Sequence, residues 1–240
     1  MTVWDRPEPP PRPVPLDRER IVAAAVALAD EGGLEAVSLR KVAGRLGAGP
    51  MRLYGFIATK EELLDLMVDE VYAELLPGEG AGDWREALRG HARRTREAAL
   101  RHEWLADLLG GRPAMGPNAM AVSEAMLSAL DGVADVDTVM RAVETVAAYV
   151  TGAVRREVAN VRAERVTGLS KREWQRARGP HVSRMLATGR FPALARAVRE
   201  GAEVDAETSF ETGLEWVLDG VAARLAGPGR PGGGVSPGAS

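Results

Sequence analysis

The segment from Asp137 to about Arg165 constrains the fold of this chain more than any other. Its apolar residues recur every three or four positions, which is the spacing of one face of an α-helix. These residues are Val139, Met140, Val143, Val146, Ala147, Val150, Val154, Val158 and Val161. The segment is too long for an ordinary strand, and as a helix it extends about 40 Å at roughly 1.5 Å per residue. The same spacing recurs along most of the chain, which predicts an all-α protein.

Three helices are predicted near the start of the chain. Asp17 and Ser38 can cap the first two, because their side-chain oxygens accept hydrogen bonds from the free amide groups of a helix start. A Gly-Ala-Gly sequence ending at Gly49 predicts a tight turn, and Pro50 suits the first position of the third helix. Two helices joined by a short glycine turn form a helix-turn-helix, whose second helix enters the major groove of DNA. We expect Phe56, which follows that helix, to pack inward.

The segment from Ser38 to Lys60 is basic, although the chain has a formal net charge of -3. It contains five basic residues and no acidic residue, the basic residues being Arg40, Lys41, Arg45, Arg52 and Lys60. A local basic patch of this kind can contact DNA phosphates even in a protein with an acidic pI. The charge changes sign after Lys60, in a fourth helix that begins at a capping box of Thr59 and Glu62. The free amide groups at that helix start can also bind a phosphate.

Further helices fill most of the remaining chain. Ser170 and Glu173 form another capping box, and the helix that they begin is expected to break at Gly179-Pro180. The predicted ranges are Asp83 to Arg101, Glu103 to Leu109, Asn118 to Leu130, Asp137 to Arg165, Ser170 to the break at Gly179, short helices through Arg199, and Asp205 to Leu225.

The two ends of the chain differ in composition from the rest. Six prolines lie between Pro7 and Pro15, which predicts a disordered, proline-rich arm over residues 1–16. This arm is either a mobile terminus or a segment that reaches along DNA through Arg6, Arg12 and Arg18. Residues 227–240 are rich in glycine and proline, and they are predicted to form a disordered tail.

Composition excludes several classes of protein. The chain has no Cys, so disulfides, zinc fingers and thiol catalysis are excluded. It has three His and lacks a glycine-rich phosphate loop, an H-x-x-x-H motif and a paired-carboxylate signature, which argues against an enzyme and against a cofactor or metal site. No apolar run approaches the ~20 residues that span a bilayer, and the first residues lack the apolar core of a signal peptide. We therefore expect a cytoplasmic protein that does not bind membranes.

The helix-turn-helix region resembles that of the TetR family of bacterial transcription regulators. The resemblance is carried by Leu39-Arg40-Lys41-Val42-Ala43, by Leu46-Gly47, and by the residues from Leu53-Tyr54 through Lys60-Glu61-Glu62-Leu63-Leu64. A weaker resemblance to the tetracycline-repressor-like C-terminal domain is carried by Leu109-Gly110-Gly111-Arg112-Pro113, Thr151-Gly152-Ala153-Val154, and Phe210 with Gly213-Leu214-Glu215. It implies an N-terminal helix-turn-helix three-helix domain over residues 17–62, and a C-terminal helical ligand-binding and dimerisation domain over residues 63–226.

The resemblance also implies a function. Members of the family are homodimers whose two recognition helices bind a palindromic operator, in most cases as repressors. A small-molecule effector bound in the C-terminal domain separates the recognition helices and releases the DNA. By resemblance, the dimer forms through a four-helix bundle made of Asp137 to Arg165 and Asp205 to Leu225 from each subunit. The alternative is a helical small-molecule-binding protein, or an activator, without ordinary repressor action.

Eight residues are candidates for DNA contacts because they match family positions. They are Ser38, Arg40, Gly49, Met51, Arg52, Tyr54, Thr59 and Lys60. Arg52 is expected to reach a base edge, since arginine is the usual partner of guanine. Arg40 is expected to contact a phosphate or a base, and the alternative is a solvated surface charge. Tyr54 and Lys60 resemble phosphate contacts of the family, and the alternatives are packing for the first and a helix-cap charge for the second.

Nine residues are candidates for the ligand pocket from their positions relative to family members. They are Trp84, His91, Thr95, Leu105, Leu108, Met115, Met126, Tyr149 and Trp174. For each of them the alternative is ordinary core packing, and for His91 it is a core histidine with satisfied hydrogen bonds.

The pocket departs from that of the tetracycline repressor. By alignment, the histidine that grips the drug there matches Leu76, and the asparagine on the next helix matches His91. The metal-binding histidine matches Leu108 or Leu109. Because polar drug ligands and metal ligands have become apolar, the resemblance implies a less polar effector that binds without a metal.

Overall fold

The computed structural model describes residues 15–78, 82–111 and 115–226. Within these ranges the chain forms eleven α-helices, two short 3-10 helices and no β-strand, which confirms the all-α prediction. The predicted arm and tail lie almost entirely outside the described residues. The helices are α1 (Arg18–Gly32), α2 (Leu39–Arg45), α3 (Pro50–Leu53), α4 (Lys60–Tyr72), α5 (Trp84–Arg101), α6 (Leu105–Leu108), α7 (Pro117–Ser128), α8 (Val136–Thr167), α9 (Lys171–Ala187), α10 (Pro192–Glu200) and α11 (Ala206–Leu225), with 3-10 turns at Leu34–Ala36 and Ala73–Leu75.

The first helices are capped as predicted and pack around a small apolar interior. Oδ1 of Asp17 accepts the amide of Arg20 at 2.8 Å, and Oγ of Ser38 accepts the amide of Lys41 at 3.3 Å. Helix α1 contacts α2 and α4, and α2 contacts α3. The buried residues between these helices include Ile21, Ala25, Val42, Ala43, Leu53, Leu63 and Met67.

Gly47 makes the turn between α2 and α3. Its φ of 62° is a left-handed conformation that glycine adopts at little cost. The Gly47 amide donates to the Gly44 carbonyl, and the Ala48 amide donates to the Ala43 carbonyl. This pair of bonds is the Schellman ending of a helix, which satisfies the last carbonyls of α2 before Pro50 begins α3.

The inward packing predicted for Phe56 is wrong. Its side chain is 38% exposed, whereas that of Ile57 is 1% exposed. Helix α3 ends at Leu53, and the Ile57 amide donates to the Leu53 carbonyl at 3.0 Å. Leu53 and Ile57 therefore stand one turn apart and share the buried side, and Phe56 lies beside it.

Helix α4 connects the first three helices to the rest of the chain. It packs against α1 and α7, and the 3-10 turn that follows it packs against α5. Its predicted capping box is modified. Oγ1 of Thr59 accepts the Glu62 amide at 3.1 Å, but the Glu62 carboxylate accepts the amide of Ala58, at 2.7 Å, in place of the Thr59 amide.

Helices α5, α8 and α11 form the centre of the remaining structure. The long helix predicted from the valine spacing is α8, which packs against both α5 and α11. Ion pairs also join these helices, because Arg89 contacts Glu215 at 2.6 Å and Arg96 contacts Glu157 at 2.8 Å. The Arg89 and Arg85 guanidinium groups lower the pKa of Glu215 to about 2.

The break predicted at Gly179-Pro180 is wrong, because α9 continues through it. A proline inside a helix removes one backbone hydrogen bond and can kink the helix without ending it. The capping box at the start of α9 is confirmed, with the Ser170 amide donating to Glu173 at 2.8 Å and the Glu173 amide donating to Ser170 Oγ at 3.3 Å. No residue of α9 or α10 is buried, and the two helices pack mainly against each other.

Candidate DNA-binding surface and ligand cavity

The helix-turn-helix exposes the side chains that the sequence predicts to read DNA. Arg40 on α2 and Arg52 on α3 are exposed, and so is Tyr54 just after α3. Met51, beside Arg52, is 80% exposed. The start of α3 therefore presents one apolar and one cationic side chain to a partner.

The other four predicted DNA contacts lie at the ends of these helices. Ser38 is half-buried because it caps α2, and Gly49 is the exposed residue before α3. Thr59 and Lys60 are exposed at the start of α4. The Lys60 ammonium lies 3.4 Å from the carbonyl of Leu34, so its charge is held next to the α1–α2 connection.

Arg45 is paired within the protein. Its guanidinium donates to both carboxylate oxygens of Glu31, at 2.8 and 2.7 Å. These hydrogen bonds lower the pKa of Glu31 and raise that of Arg45. The pair compensates the Arg45 charge within the protein.

A cavity of about 670 Å³ lies between the end of α4 and helices α5, α7 and α8. This volume suits a small organic molecule. The lining is mainly apolar and consists of Tyr72, Leu75, His91, Thr95, Leu109, Gly110, Val122, Ser123, Met126, Leu127, Met140, Val143, Ala147, Ala148, Val150, Thr151, Gly152 and Arg155.

Three of the nine residues predicted for the pocket line this cavity, namely His91, Thr95 and Met126. Leu105 and Leu108 instead line a neighbouring recess of about 370 Å³ beside α4. The structure brings these two recesses together at Tyr72, Leu109 and Gly110, which line both.

The other four predicted pocket residues lie away from the large cavity. Trp84 packs half-buried at the start of α5, and Met115 is exposed. Tyr149 donates to the Phe210 carbonyl at 2.7 Å and so joins α8 to α11. Trp174 is exposed on α9, where it lines a separate recess.

The sequence patterns do not identify most of the residues that line the cavity. Met140, Val143 and Val150 belong to the valine spacing of α8, which predicts a buried helix face without saying what that face contacts. Tyr72 and Leu75 come at the end of the α4 segment and carry no separate signal. The spacing identifies apolar positions, and only the packing of four helices shows which of them surround empty space.

His91 is the most desolvated titratable group of the cavity wall. Burial, aided by the nearby Arg94 charge, lowers the pKa of His91 to about 4, so the imidazole is neutral at physiological pH. The hydroxyl of Thr95 donates to the His91 carbonyl at 2.9 Å and lies 3.5 Å from Nε2 of His91.

Helix α4 links the cavity to the helix-turn-helix. Tyr72 at its end lines the cavity, and Lys60 at its start belongs to the basic segment. Buried Asp69 also joins α4 to α7, because its Oδ1 accepts the amide of Ala119 at 2.9 Å and its carbonyl accepts the side-chain amide of Asn118 at 3.0 Å. Helix α4 therefore contacts both the helix-turn-helix and the helices around the cavity.

Two further types of site are absent from the described residues. No group of three or more His, Cys, Asp or Glu side chains is arranged to hold a metal ion there. None of the helices in these ranges combines the length and apolarity needed to cross a bilayer.

Two family models match the chain. Residues 21–67 match the bacterial regulatory proteins of the tetR family, and residues 76–225 match the tetracyclin repressor-like C-terminal domain. The HTH-type transcriptional repressor DrrR1 of Streptomyces coeruleorubidus is 39% identical over 231 residues, which cover 93% of this chain and 84% of DrrR1. An HTH-type transcriptional regulator of Saccharopolyspora erythraea is 37% identical over 228 residues, covering 92% of this chain and 91% of that protein.

The fold is also similar to solved structures of regulators. The crystal structure of the Streptomyces coelicolor TetR family protein ActR in complex with actinorhodin has a TM-score of 0.71 and 27% sequence identity to this chain, and the match covers 87% of this chain and 96% of ActR. The proteins that this chain resembles are DNA-binding transcription regulators with a ligand-binding domain, and they are not enzymes. The chain therefore belongs to the TetR family of bacterial transcription regulators.

Proposed function

We propose that this protein is a repressor that binds a palindromic operator as a homodimer and is released from it by a small, mainly apolar effector. The observation that carries the proposal is that α4 joins the exposed helix-turn-helix at Lys60 to the cavity at Tyr72. In this proposal residues 17–62 bind DNA, and residues 63–226 bind the effector and dimerise. Such a protein acts in the cytoplasm, where its operator is accessible.

Exposed basic side chains and an exposed apolar side chain support the proposed DNA contacts. Arg40 and Lys41 are exposed on α2, and they can contact phosphates. In this proposal Met51 and Arg52, at the start of α3, contact base edges, as the first residues of a recognition helix do. Ser38, Gly49, Tyr54, Thr59 and Lys60 complete the proposed interface.

The exposed surface of α8 and α11 supports the proposed dimer. Trp216 on α11 is 73% exposed, and it borders a groove of about 590 Å³ between α8 and α11. The groove is lined mostly by apolar and small residues, including Ala142, Val217 and Val221. A second copy of the same surface can fill the groove with its own Trp216, since a dimer with twofold symmetry uses the same surface patch on both subunits.

Helices α9 and α10 give independent support for a second copy. They contain no buried residue, and the apolar residues exposed on them and at the cap of α10 are Trp174, Met185, Phe191, Leu194 and Val198. Apolar side chains at this density are normally covered by a partner. The cavity is also open along α8, where Met140 and Arg155 are exposed, so an adjacent subunit can complete its wall.

The lining of the cavity supports an effector with a large apolar surface. Aliphatic and methionine side chains form most of the wall. Of the effector contacts predicted from the sequence, His91, Thr95 and Met126 belong to this wall. Leu105 and Leu108 in the adjoining recess would contact an effector long enough to pass Tyr72.

The proposal is tested by gel shift with DNA taken from upstream of the protein's own gene and of its neighbours. We expect one dimer per operator, and binding that weakens steeply with added salt, because phosphate contacts release counterions. Binding that is absent or insensitive to salt would contradict the regulator and favour the alternative, a small-molecule-binding protein without repressor action. Light scattering on the same sample measures whether the free protein is a dimer.

A further inference from the structure

The imidazole of His102 lies between two carboxylates that belong to different parts of the chain. Its Nδ1 is 2.8 Å from Oδ1 of Asp30, near the end of α1, and its Nε2 is 3.2 Å from Oε1 of Glu74, in the 3-10 turn after α4. His102 itself is the residue that follows α5, and it is buried. The ring therefore bridges a helix of the DNA-binding region and the helices around the cavity.

This geometry requires a proton on each ring nitrogen. An ionised carboxylate only accepts hydrogen bonds, so each nitrogen that faces one has to donate. Neutral imidazole carries a single N–H, and only the imidazolium cation carries two. In the neutral ring, one nitrogen lone pair would face a carboxylate oxygen, and the two would repel each other. The arrangement around His102 therefore fits the imidazolium.

The charges around the ring also favour the imidazolium. Helix α1 contributes Asp30, the 3-10 turn contributes Glu74, and α5 contributes Arg101, whose guanidinium pairs with the second oxygen of Glu74. Glu103, the next residue of the chain, is paired with Arg165 of α8 at 2.6 Å. With the ring charged, it and the first three groups contain two cations and two anions. A neutral ring would leave them with an uncompensated negative charge in a largely buried place, which is costly.

We propose that His102 is a pH-sensitive latch between α1 and the part of the protein that contains the cavity. The charged ring donates to both carboxylates, and it holds α1 against the 3-10 turn that follows α4. When the pH rises, the ring releases one proton to the solvent, a lone pair then faces a carboxylate, and the joint loosens. Histidine is the side chain that ordinarily changes its charge near neutral pH.

The latch makes operator binding depend on pH. Helix α1 packs against α2 and α4, so its position determines that of the helix-turn-helix. A loosened joint lets the helix-turn-helix adopt more orientations, and binding to the operator then costs more conformational entropy. Operator affinity therefore falls as the ring loses its proton. This consequence rests on the proposed function, whereas the latch itself does not.

NMR of the full-length wild type tests the latch without DNA and without any variant. Nitrogen spectra distinguish a protonated ring nitrogen from a bare one, and the chain has only three His to assign. We expect His102 to have two protonated nitrogens at about pH 6 and one at about pH 9. The indole N–H of Trp104 donates to the same Asp30 oxygen at 2.7 Å, so its resonance should shift with the same midpoint. A single protonated nitrogen at the lower pH, two at the higher pH, or an indole resonance that does not follow the titration would overturn the latch.

Gel shift with the upstream DNA, repeated between about pH 6 and pH 9, tests the effect on operator binding. We expect the Kd of the wild type to rise about tenfold over this range, and that of His102→Gln to stay nearly constant. His181→Gln is the matched control, because His181 is exposed on α9, and this variant should behave like the wild type. A wild-type Kd that does not change with pH, or the same change in both variants, would overturn the effect on the operator. Absence of DNA binding at every pH would contradict the proposed function, and the NMR titration would then decide the latch alone.

Discussion

Nδ1 of His102 lies 2.8 Å from Oδ1 of Asp30, and this contact joins α1 to the residue that follows α5. The same Asp30 oxygen accepts the indole N–H of buried Trp104 at 2.7 Å. On its other side the imidazole of His102 lies 3.2 Å from Glu74, in the 3-10 turn after α4. One polar cluster therefore connects the helices around the DNA-binding segment to those around the cavity.

Replacing Asp30 by Ala should destabilise the protein by roughly 2 to 4 kcal/mol. The variant leaves the indole N–H of Trp104 and Nδ1 of His102 without their acceptor, and each unpaired buried group is costly. The free energy of unfolding from urea titration measures the effect. Glu31→Ala is the matched control, since it removes a neighbouring carboxylate that pairs with exposed Arg45, and it should change stability little. Equal losses for the two variants would contradict the role of the cluster.

The sequence predicted the local features of this structure well and the long-range ones poorly. Asp17 and Ser38 are readable as caps because a cap bonds to an amide three residues away. Asp30 and His102 are separated by 72 residues, so no local pattern pairs them. The helix break predicted at Pro180 is wrong because proline usually ends a helix but does not always do so, and α9 continues through it.

The pocket illustrates the same limit in a different way. Val143 and Val146 both belong to the spacing that predicted α8, yet Val143 lines the cavity, while Val146 is buried in the core and is not part of its wall. Periodicity distinguishes inside from outside, but a cavity wall and a packed core are both inside. The match to family positions predicts nine pocket residues, and three of them line the cavity.

Replacing Trp216 by Glu should convert the proposed dimer to a monomer. The indole is 73% exposed, and in the proposed dimer it fills the groove between α8 and α11 of the second copy. The substitution removes the large apolar contact of the indole and adds the cost of taking a carboxylate out of water, a cost that Arg141 and Arg224 at the edge of the groove offset only in part. Light scattering measures the mass, and gel shift should show at least a tenfold loss of operator affinity. Met120→Glu is a suitable control, because it makes the same change of charge at an exposed apolar position on α7, outside the groove.

Arg52 and Arg40 should have different effects on DNA binding. If Arg52 contacts a base, Arg52→Ala costs about 1 to 3 kcal/mol and relaxes the preference at one base pair. If Arg40 contacts a phosphate, Arg40→Ala weakens binding to all sequences and lowers the salt slope by about 1. Selection from a random operator library, followed by salt titration, distinguishes the two.

Arg45 provides the control for these two variants. It lies in the same basic segment but is bound to Glu31 through both carboxylate oxygens. The Arg45→Ala variant should therefore keep the operator profile and most of the affinity. A loss as large as that of Arg40→Ala would show that the Glu31 pair opens on DNA, and it would contradict the assignment of Arg45 as an internal partner.

The neutral state of His91 should make the protein less stable in mild acid. Burial lowers the pKa of His91 from 6.5 to about 4, so below pH 6.5 the unfolded chain binds a proton that the folded protein does not. Stability then falls as the pH drops, by about 3 kcal/mol between neutral pH and pH 4, and the contribution of His91 levels off below about pH 3. The His91→Phe variant lacks this term, while both proteins share the contributions of all other groups. Toward acid pH, the unfolding free energy of the wild type should therefore fall relative to that of the variant. Parallel curves for the two proteins would show that His91 is not desolvated.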